Sequence, residues 1–287
     1  MGRLRNLTRL ALAGLIVCPV ASPAPTAAQI DQVSAILGAL ADRTQQYYER
    51  FVSIICTETV RQQQLKPNLA PTGKPRVTVF ELSVSRGEES GRESDFRVER
   101  ALQSVNGRPA RRNQQPGCTD PKTGTPEPLA FLLKDNQDAY RFNLTDHSAG
   151  GPPGTRALVF VQRELDRARI NWKGNCFDAE GGGHTGTLWY DPATYDVLQV
   201  SVHLAKPFLV PVPAAYFGIQ PAIRVERWET TLRFERVNFS QPDETALLPE
   251  SIDTLSVFGG APSLRTRQQL SNYRRFLAES SIRSSGF

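Results

Sequence analysis

The segment VLQVSVHL, at residues 197–204, decides the fold class of this 287-residue chain. Its apolar and polar side chains alternate: Leu198, Val200, Val202 and Leu204 fall on one side of a strand, and Val197, Gln199, Ser201 and His203 fall on the other. The segment 228–235 alternates in the same way. Successive side chains of a strand point to opposite faces, so each segment has one face for a core and one for water. This pattern is typical of an antiparallel sheet.

The same period of two recurs on both sides of this segment. Phe80, Leu82 and Val84 share one face, and Phe96, Val98, Arg100 and Leu102 share another. Further strand-like runs lie at 140–144, 157–162, 185–190, 223–239, 252–258 and 264–273. A sheet of about nine strands must curl or close to bury its apolar face.

Helical spacing appears at two places. Apolar residues recur at steps of three and four from Ile30 to Ile55, so a long amphipathic helix is expected from about Asp31. A shorter helix is predicted from Pro128 to about Asn136, because proline suits the first turn. The predicted fold is α+β. It is a large curved antiparallel β-sheet, or half-barrel, with a long N-terminal helix and a short middle helix, in a single domain over residues 29–287.

The start of the chain has the features of an export signal. Three arginines lie within the first nine residues, the apolar run 10–18 follows, and small side chains precede Gln29. Residues 1–28 are therefore predicted to be a cleavable signal peptide, which places the protein in the periplasm or outside the cell. A transmembrane anchor is not expected, since it needs about 20 continuous apolar residues and Pro19 and Pro23 interrupt this run.

Charge and motifs exclude several classes of partner. The formal net charge is +5, but three arginines belong to the signal, and the remaining charges are nearly balanced and scattered. Nucleic-acid binding needs a basic face, so that partner is not expected. No Cys-x-x-Cys or His-x-x-x-His spacing predicts a metal site, and no phosphate-binding loop predicts a cofactor.

Three cysteines follow the signal, so one disulfide and one free thiol are expected after export. Cys118 and Cys176 both follow turn-forming residues, whereas Cys56 ends an apolar, helix-like stretch. This favours a Cys118–Cys176 bridge, and the pairings of Cys56 with either partner stay open.

Catalytic signatures are weak. His147 lies in the segment DHSAGG and His184 follows three glycines, and both are interpreted as loop residues. His203 alternates onto the polar side of its strand. Nucleophilic catalysis needs a nucleophile, a base and an orienting acid assembled across a fold, and no nucleophile elbow is present. Glu58 is interpreted as a residue that finishes the first helix. No catalytic residue is predicted, and a hydrolase using His147 or His184 is the alternative.

The connection 207–219 is nearly all apolar although it joins two good strands. Such a segment either covers the open end of the sheet or forms a contact patch. Its large side chains are the candidates for ligand contact, namely Phe208, Leu209, Tyr216 and Phe217.

The segment 186–198, GTLWYDPATYDVL, resembles the strand–turn–strand unit of bacterial half-barrels of the lipoprotein-carrier (LolA-like) and RseB-like type. Asp191 and Pro192 suit the first two positions of its turn. The segments 248–252 and 273–276 are similar to the end of exported relatives of this kind. The resemblance implies a half-barrel with helices across its concave side, where such carriers hold acyl chains without catalysing a reaction. The insertions 108–127 and 207–222 depart from the simple carrier pattern.

These observations predict an exported, non-enzymatic protein of the bacterial envelope that binds an apolar, lipid-like ligand or a protein partner. The alternatives are the secreted hydrolase and a purely structural envelope module.

Overall fold

The computed structural model describes residues 27–51, 53–86, 96–114, 116–119, 124–145, 150–163, 169–173, 176–180, 183–214, 221–241 and 243–275. The predicted signal peptide lies almost wholly outside these residues. The elements are α1 (Ala27–Arg50), β1 (Ile54–Leu65), β2 (Arg76–Arg86), β3 (Phe96–Val105), β4 (Arg108–Pro109), two 3₁₀ helices (Glu127–Leu132 and Lys134–Ala139), β5 (Tyr140–Thr145), β6 (Arg156–Gln162), β7 (Arg169–Lys173), β8 (Cys176–Glu180), β9 (His184–Tyr190), β10 (Val197–Leu204), β11 (Phe208–Pro211), β12 (Ala222–Ser240), β13 (Asp243–Gly259) and β14 (Ser263–Arg275).

Twelve strands form one antiparallel sheet in the order β4-β3-β2-β1-β14-β13-β12-β10-β9-β6-β5. The remaining strand of this sheet, β11, pairs with residues 222–225 of β12, next to the stretch 229–233 that pairs with β10. The strands β7 and β8 form a separate two-stranded sheet. The predicted fold class is confirmed.

Two predicted turns connect strands as expected. Asn106 and Gly107 both have positive φ angles and join β3 to β4, which is the geometry that an Asn-Gly hairpin turn requires. Between β9 and β10, the Asp191 carboxylate accepts a hydrogen bond from the Ala193 amide at 2.9 Å. Hydrogen bonds of this kind let Asp start a tight turn.

Helix α1 lies on the inner face of the sheet and contacts strands that are far apart in it. The Tyr47 ring lies 6.1 Å from that of Phe234 in β12, and the Tyr48 ring lies 5.5 Å from that of Phe96 in β3. Leu37 belongs to the same packed cluster as Phe160 of β6. A sheet of this width curls to bury its apolar side chains around a central element, and here that element is α1.

The segment 124–139 crosses the same inner face beside α1. A side chain at Gly124 would lie 3.2 Å from Leu270 of β14, and the Phe131 ring lies 4.4 Å from the Phe160 ring. The Gln137 side chain donates a hydrogen bond to the Leu37 carbonyl of α1 at 3.0 Å. The predicted middle helix is present, but as two short 3₁₀ helices. Leu133 separates them with an extended backbone (ψ 142°).

The first helix is shorter at its C-terminal end than predicted. It ends at Arg50, and Ser53, with a φ of 55°, redirects the chain into β1. The interpretation of Cys56 and Glu58 as residues at a helix end was therefore wrong. The sequence IICTETVRQQQL contains several β-branched residues, and its first residues alternate in burial, so it fits between β14 and β2.

Glu58 lies on the apolar inner face, where it forms an ion pair with Arg100 of β3. Their side chains are 3% and 11% exposed. Arg100 Nε donates to Glu58 Oε2 at 2.7 Å, and Nη1 donates to Thr119 Oγ1 at 2.6 Å. The Arg100 guanidinium also lies 4.5 Å from the centre of the Phe80 ring. The ion pair explains why Arg100 occupies the apolar side of β3. The hydrogen bond from Arg100 to Thr119 attaches the segment 116–119 to the sheet.

We expect Arg100→Met to lower the free energy of unfolding by about 3–5 kcal/mol, because it leaves the Glu58 carboxylate buried without its cation. The double variant Glu58→Met/Arg100→Met removes both charges and should unfold close to the wild type. Urea unfolding, monitored by circular dichroism, measures the free energy of unfolding of both variants. A single variant as stable as the double one would contradict this account.

The cysteines pair as favoured from the sequence. Cys118 and Cys176 form a disulfide, and Cys56 is free and buried on the inner face. Burial, with the nearby Glu58 carboxylate as the smaller cause, raises the pKa of the Cys56 thiol to about 12. Reaction with an alkylating reagent needs the thiolate, which is scarce at such a pKa.

In a chain lacking residues 1–28, native Cys56 should react with iodoacetamide about a thousandfold more slowly than a free cysteine at mildly alkaline pH. In concentrated guanidinium chloride without reductant, one label should be added, in the peptide that contains Cys56. Mass spectrometry locates the label, and its appearance on Cys118 or Cys176 would contradict the pairing.

Candidate ligand-binding cavity

A cavity of about 270 Å³ lies on the inner face of the sheet, where α1 does not cover it. Five strands of the main sheet supply its floor, and their lining side chains are Tyr140, Phe160, His184, Val202, Leu204, Trp228, Thr230 and Leu232. Pro128 and Phe131 of the first 3₁₀ helix form one wall. Ala179 of β8 and Phe208 of β11 complete it.

Strand register places these side chains on one face. Val202 lies opposite both Gly186 of β9 and Thr230 of β12, and Gly186 lies opposite Phe160 of β6. Residues directly opposite each other in an antiparallel pair share a face. A Cβ at Gly186 would lie 2.6 Å from the Phe160 ring and 2.1 Å from the Ser201 carbonyl oxygen. Glycine at this position therefore lets the Phe160 ring rest on the strand.

Aromatic rings form one end of the cavity. The Phe131 ring lies 4.4 Å from Phe160 and 5.5 Å from Tyr140, and the Phe160 and Tyr140 rings are 6.1 Å apart and nearly perpendicular. These separations are within the range of favourable ring pairs. The rings join the 3₁₀ helix to β5 and β6 and hold that wall in place.

The β7–β8 hairpin borders the other side of the cavity and is attached to the rest of the structure by a hydrogen bond, a disulfide and a ring contact. Trp172 Nε1 donates a hydrogen bond to the Pro211 carbonyl at 3.0 Å, and the disulfide from Cys176 joins the hairpin to Cys118. Phe177 packs against Phe258 of β13, with ring centres 6.2 Å apart. The hairpin and β11 thus share a second, smaller apolar cluster with β12.

Three polar side chains face this largely apolar space. Burial lowers the pKa of the His184 imidazole and raises the pKa of the Tyr140 hydroxyl, so both are uncharged at neutral pH. The Thr230 hydroxyl lies 3.1 Å from the Thr254 hydroxyl, which gives it a hydrogen-bond partner. The cavity offers neutral hydrogen-bonding groups within aromatic walls.

His184 is not the surface-loop residue that its preceding glycines indicated. It begins β9 and is partly buried, and the described residues that line the cavity include no Ser, Cys, Asp or Glu that could act with it in catalysis. His203 is exposed on the outer side of β10, 4.0 Å from the Glu229 carboxylate, as expected. His147 lies outside the described residues.

Of the four predicted contact residues, the structure describes Phe208 and Leu209. Phe208 lines the cavity, whereas the next residue, Leu209, is 65% exposed. Tyr216 and Phe217 lie outside the described residues. Sequence reasoning missed the aromatic residues Phe131, Tyr140, Phe160 and Trp228. The available signals were the alternation of Tyr140 with Phe142 in the run 140–144 and the aromatic Phe160 within the apolar run 157–162.

A buried carboxylate attaches helix α1 to the sheet, at the end of β9 and β10 that lies away from the cavity. Asp196, 1% exposed at the end of the β9–β10 turn, forms ion pairs with Arg43 of α1 and with Arg236 of β12. Arg236 also reaches Asp191 at 3.1 Å. Within the described ranges, no group of His, Cys, Asp and Glu is suited to hold a metal ion, and no helix combines the length and apolarity needed to cross a bilayer.

The sequence matches no protein-family model and no curated protein sequence. Among solved structures, a LolA superfamily protein from Nitrosomonas europaea aligns with 84% of this chain and 93% of its own, with a TM-score of 0.37 and 9% identity. At this level of likeness the alignment carries no argument about function, and the function is argued from the cavity.

Proposed function

We propose that this protein is an exported, non-enzymatic binding protein of the bacterial envelope that holds an apolar, lipid-like molecule in the cavity on its inner face. The observation that carries this proposal is the aromatic-lined space of about 270 Å³, with walls from the 3₁₀ helix, β8 and β11. Cavities that bind small molecules combine apolar walls with a few polar groups in this way.

Two features support the cellular location in this proposal. The N-terminal segment has the pattern of an export signal, and the Cys118–Cys176 disulfide suits an oxidising compartment. The disulfide also attaches the hairpin that borders the cavity, so oxidation after export would help to keep the cavity walls in place.

The chemistry of the lining favours binding over catalysis. The described side chains around His184 are apolar, aromatic or hydroxyl-bearing, and burial lowers the pKa of this imidazole. A nucleophile and an orienting acid would have to come from elsewhere for hydrolysis at His184. A panel of ester, peptide and glycoside substrates tests the alternative, and turnover abolished by His184→Ala would overturn the proposal.

Filling the cavity should weaken binding. Val202→Phe enlarges a half-buried side chain on the cavity floor, and we expect it to weaken binding of the uncharged fluorophore N-phenyl-1-naphthylamine by at least about tenfold. The adjacent variant His203→Phe places the same ring on the outer face of β10 and serves as the matched control. Equal affinity of both variants and the wild type would contradict ligand binding at this site.

The two neighbouring residues of β11 give a second matched pair. Phe208→Ala removes an aromatic wall of the cavity and should weaken binding of the same probe by about 1–2 kcal/mol, or about tenfold. Leu209→Ala changes an exposed side chain and should leave affinity unchanged. Native mass spectrometry of the purified protein measures ligand occupancy independently. A larger loss for Leu209→Ala would place the ligand on the outer surface of β11.

A further inference from the structure

We infer that the ligand of this cavity is a compact, uncharged molecule with an aromatic or other rigid ring system and one hydroxyl or carbonyl group that hydrogen-bonds to His184. This inference rests on the proposed function and specifies the chemical class of the ligand. Size, wall rigidity and the charge state of the polar groups support it separately.

The volume of the cavity limits the part of a ligand that lies within its walls. A dry apolar cavity of about 150 Å³ in another protein holds one benzene molecule. The space here is about 270 Å³, which corresponds to a ligand of roughly 10–15 non-hydrogen atoms. A full-length diacyl lipid exceeds that volume several-fold, whereas two joined rings fit within it.

The walls favour rings over flexible chains. Phe131, Phe160 and Tyr140 are grouped with centre-to-centre distances of 4.4–6.1 Å, and Trp228 and Phe208 line the same space. A ligand ring gains a favourable ring–ring interaction at each aromatic contact, beyond the effect of the apolar area that it buries. A flexible alkyl chain gains no such contact and loses conformational entropy when it is ordered.

The polar groups favour an uncharged ligand. His184 is neutral because burial lowers its pKa, so its imidazole offers one donor and one acceptor. Its backbone amide is already used, donating to the Gln162 side chain at 3.2 Å. A hydroxyl or carbonyl group matches such an imidazole. A carboxylate would lose its hydration among aromatic side chains and gain only a neutral partner.

Isothermal titration calorimetry of the wild-type protein with three probes tests the ligand class. 4-Phenylphenol and 1-dodecanol have the same number of non-hydrogen atoms, and biphenyl-4-carboxylate has the ring system of the first probe with a charge. We expect 4-phenylphenol to bind about tenfold more tightly than either of the others.

The outcomes separate this inference from the proposed function. Dodecanol or the carboxylate binding as tightly as 4-phenylphenol would overturn the inference while leaving apolar-ligand binding in place. No binding by any of the three probes, together with no binding of N-phenyl-1-naphthylamine, would overturn both.

The role of His184 is tested with His184→Leu, and His203→Leu is the matched control on the outer face. We expect His184→Leu to lower the affinity for 4-phenylphenol by about fivefold, which is the usual effect of one lost hydrogen bond. The affinity for unsubstituted biphenyl should stay the same. Equal losses for both probes, or none for 4-phenylphenol, would show that His184 does not bind the polar group. If the variant does not fold, the wild-type comparison decides the inference.

Discussion

The apolar inner face of the sheet has to be covered, and the rest of the structure depends on that constraint. Helix α1 covers the part near β1–β3 and β12, where Tyr47, Tyr48 and Phe51 pack against Phe96 and Phe234. The segment 124–139 covers the part toward β5 and β6. These two elements do not reach all of the inner face. The cavity is the part that they leave, and the β7–β8 hairpin and β11 close it from the other side.

Polar groups hold this covering layer in place. Asp196 joins α1 to β12 through two arginines, Gln137 joins the second 3₁₀ helix to α1, and Arg100 joins the segment 116–119 to Glu58 on the sheet. The disulfide then extends this connection from Cys118 to the hairpin beside the cavity. Buried charges are expensive unless paired, so the ion pairs of Asp196 and Glu58 also fix the positions of their arginine partners. The walls of the cavity are therefore attached to the sheet by directional contacts as well as by apolar packing.

The alternation of apolar and polar residues predicted most of the strands of the sheet. Where this prediction failed, the reason was physical. The sequences of β10 and β12 alternate between apolar and polar side chains, and the Asn106–Gly107 turn is specified by the conformations that these residues tolerate. In β1, Ile54, Ile55 and Cys56 extend the helix-like apolar spacing of α1, so periodicity alone did not distinguish strand from helix there. The chain changes from helix to strand at Ser53, and β1 is then paired along its length with β2 and β14. The strand β14 lies about 200 residues later in the chain.

The sequence by itself determined the α+β class, the antiparallel strands, the N-terminal helix and the favoured Cys118–Cys176 pair, because each follows from residues close together in the chain. Only the tertiary structure decided which side chains meet. It paired Glu58 with Arg100, brought Phe131, Phe160, His184 and Phe208 around one cavity, and turned Leu209 away from it. Those contacts join strands and helices far apart in sequence, and they depend on register and curvature. A shift of one residue in strand register would exchange the two faces of a strand, and local periodicity does not fix that register between distant strands.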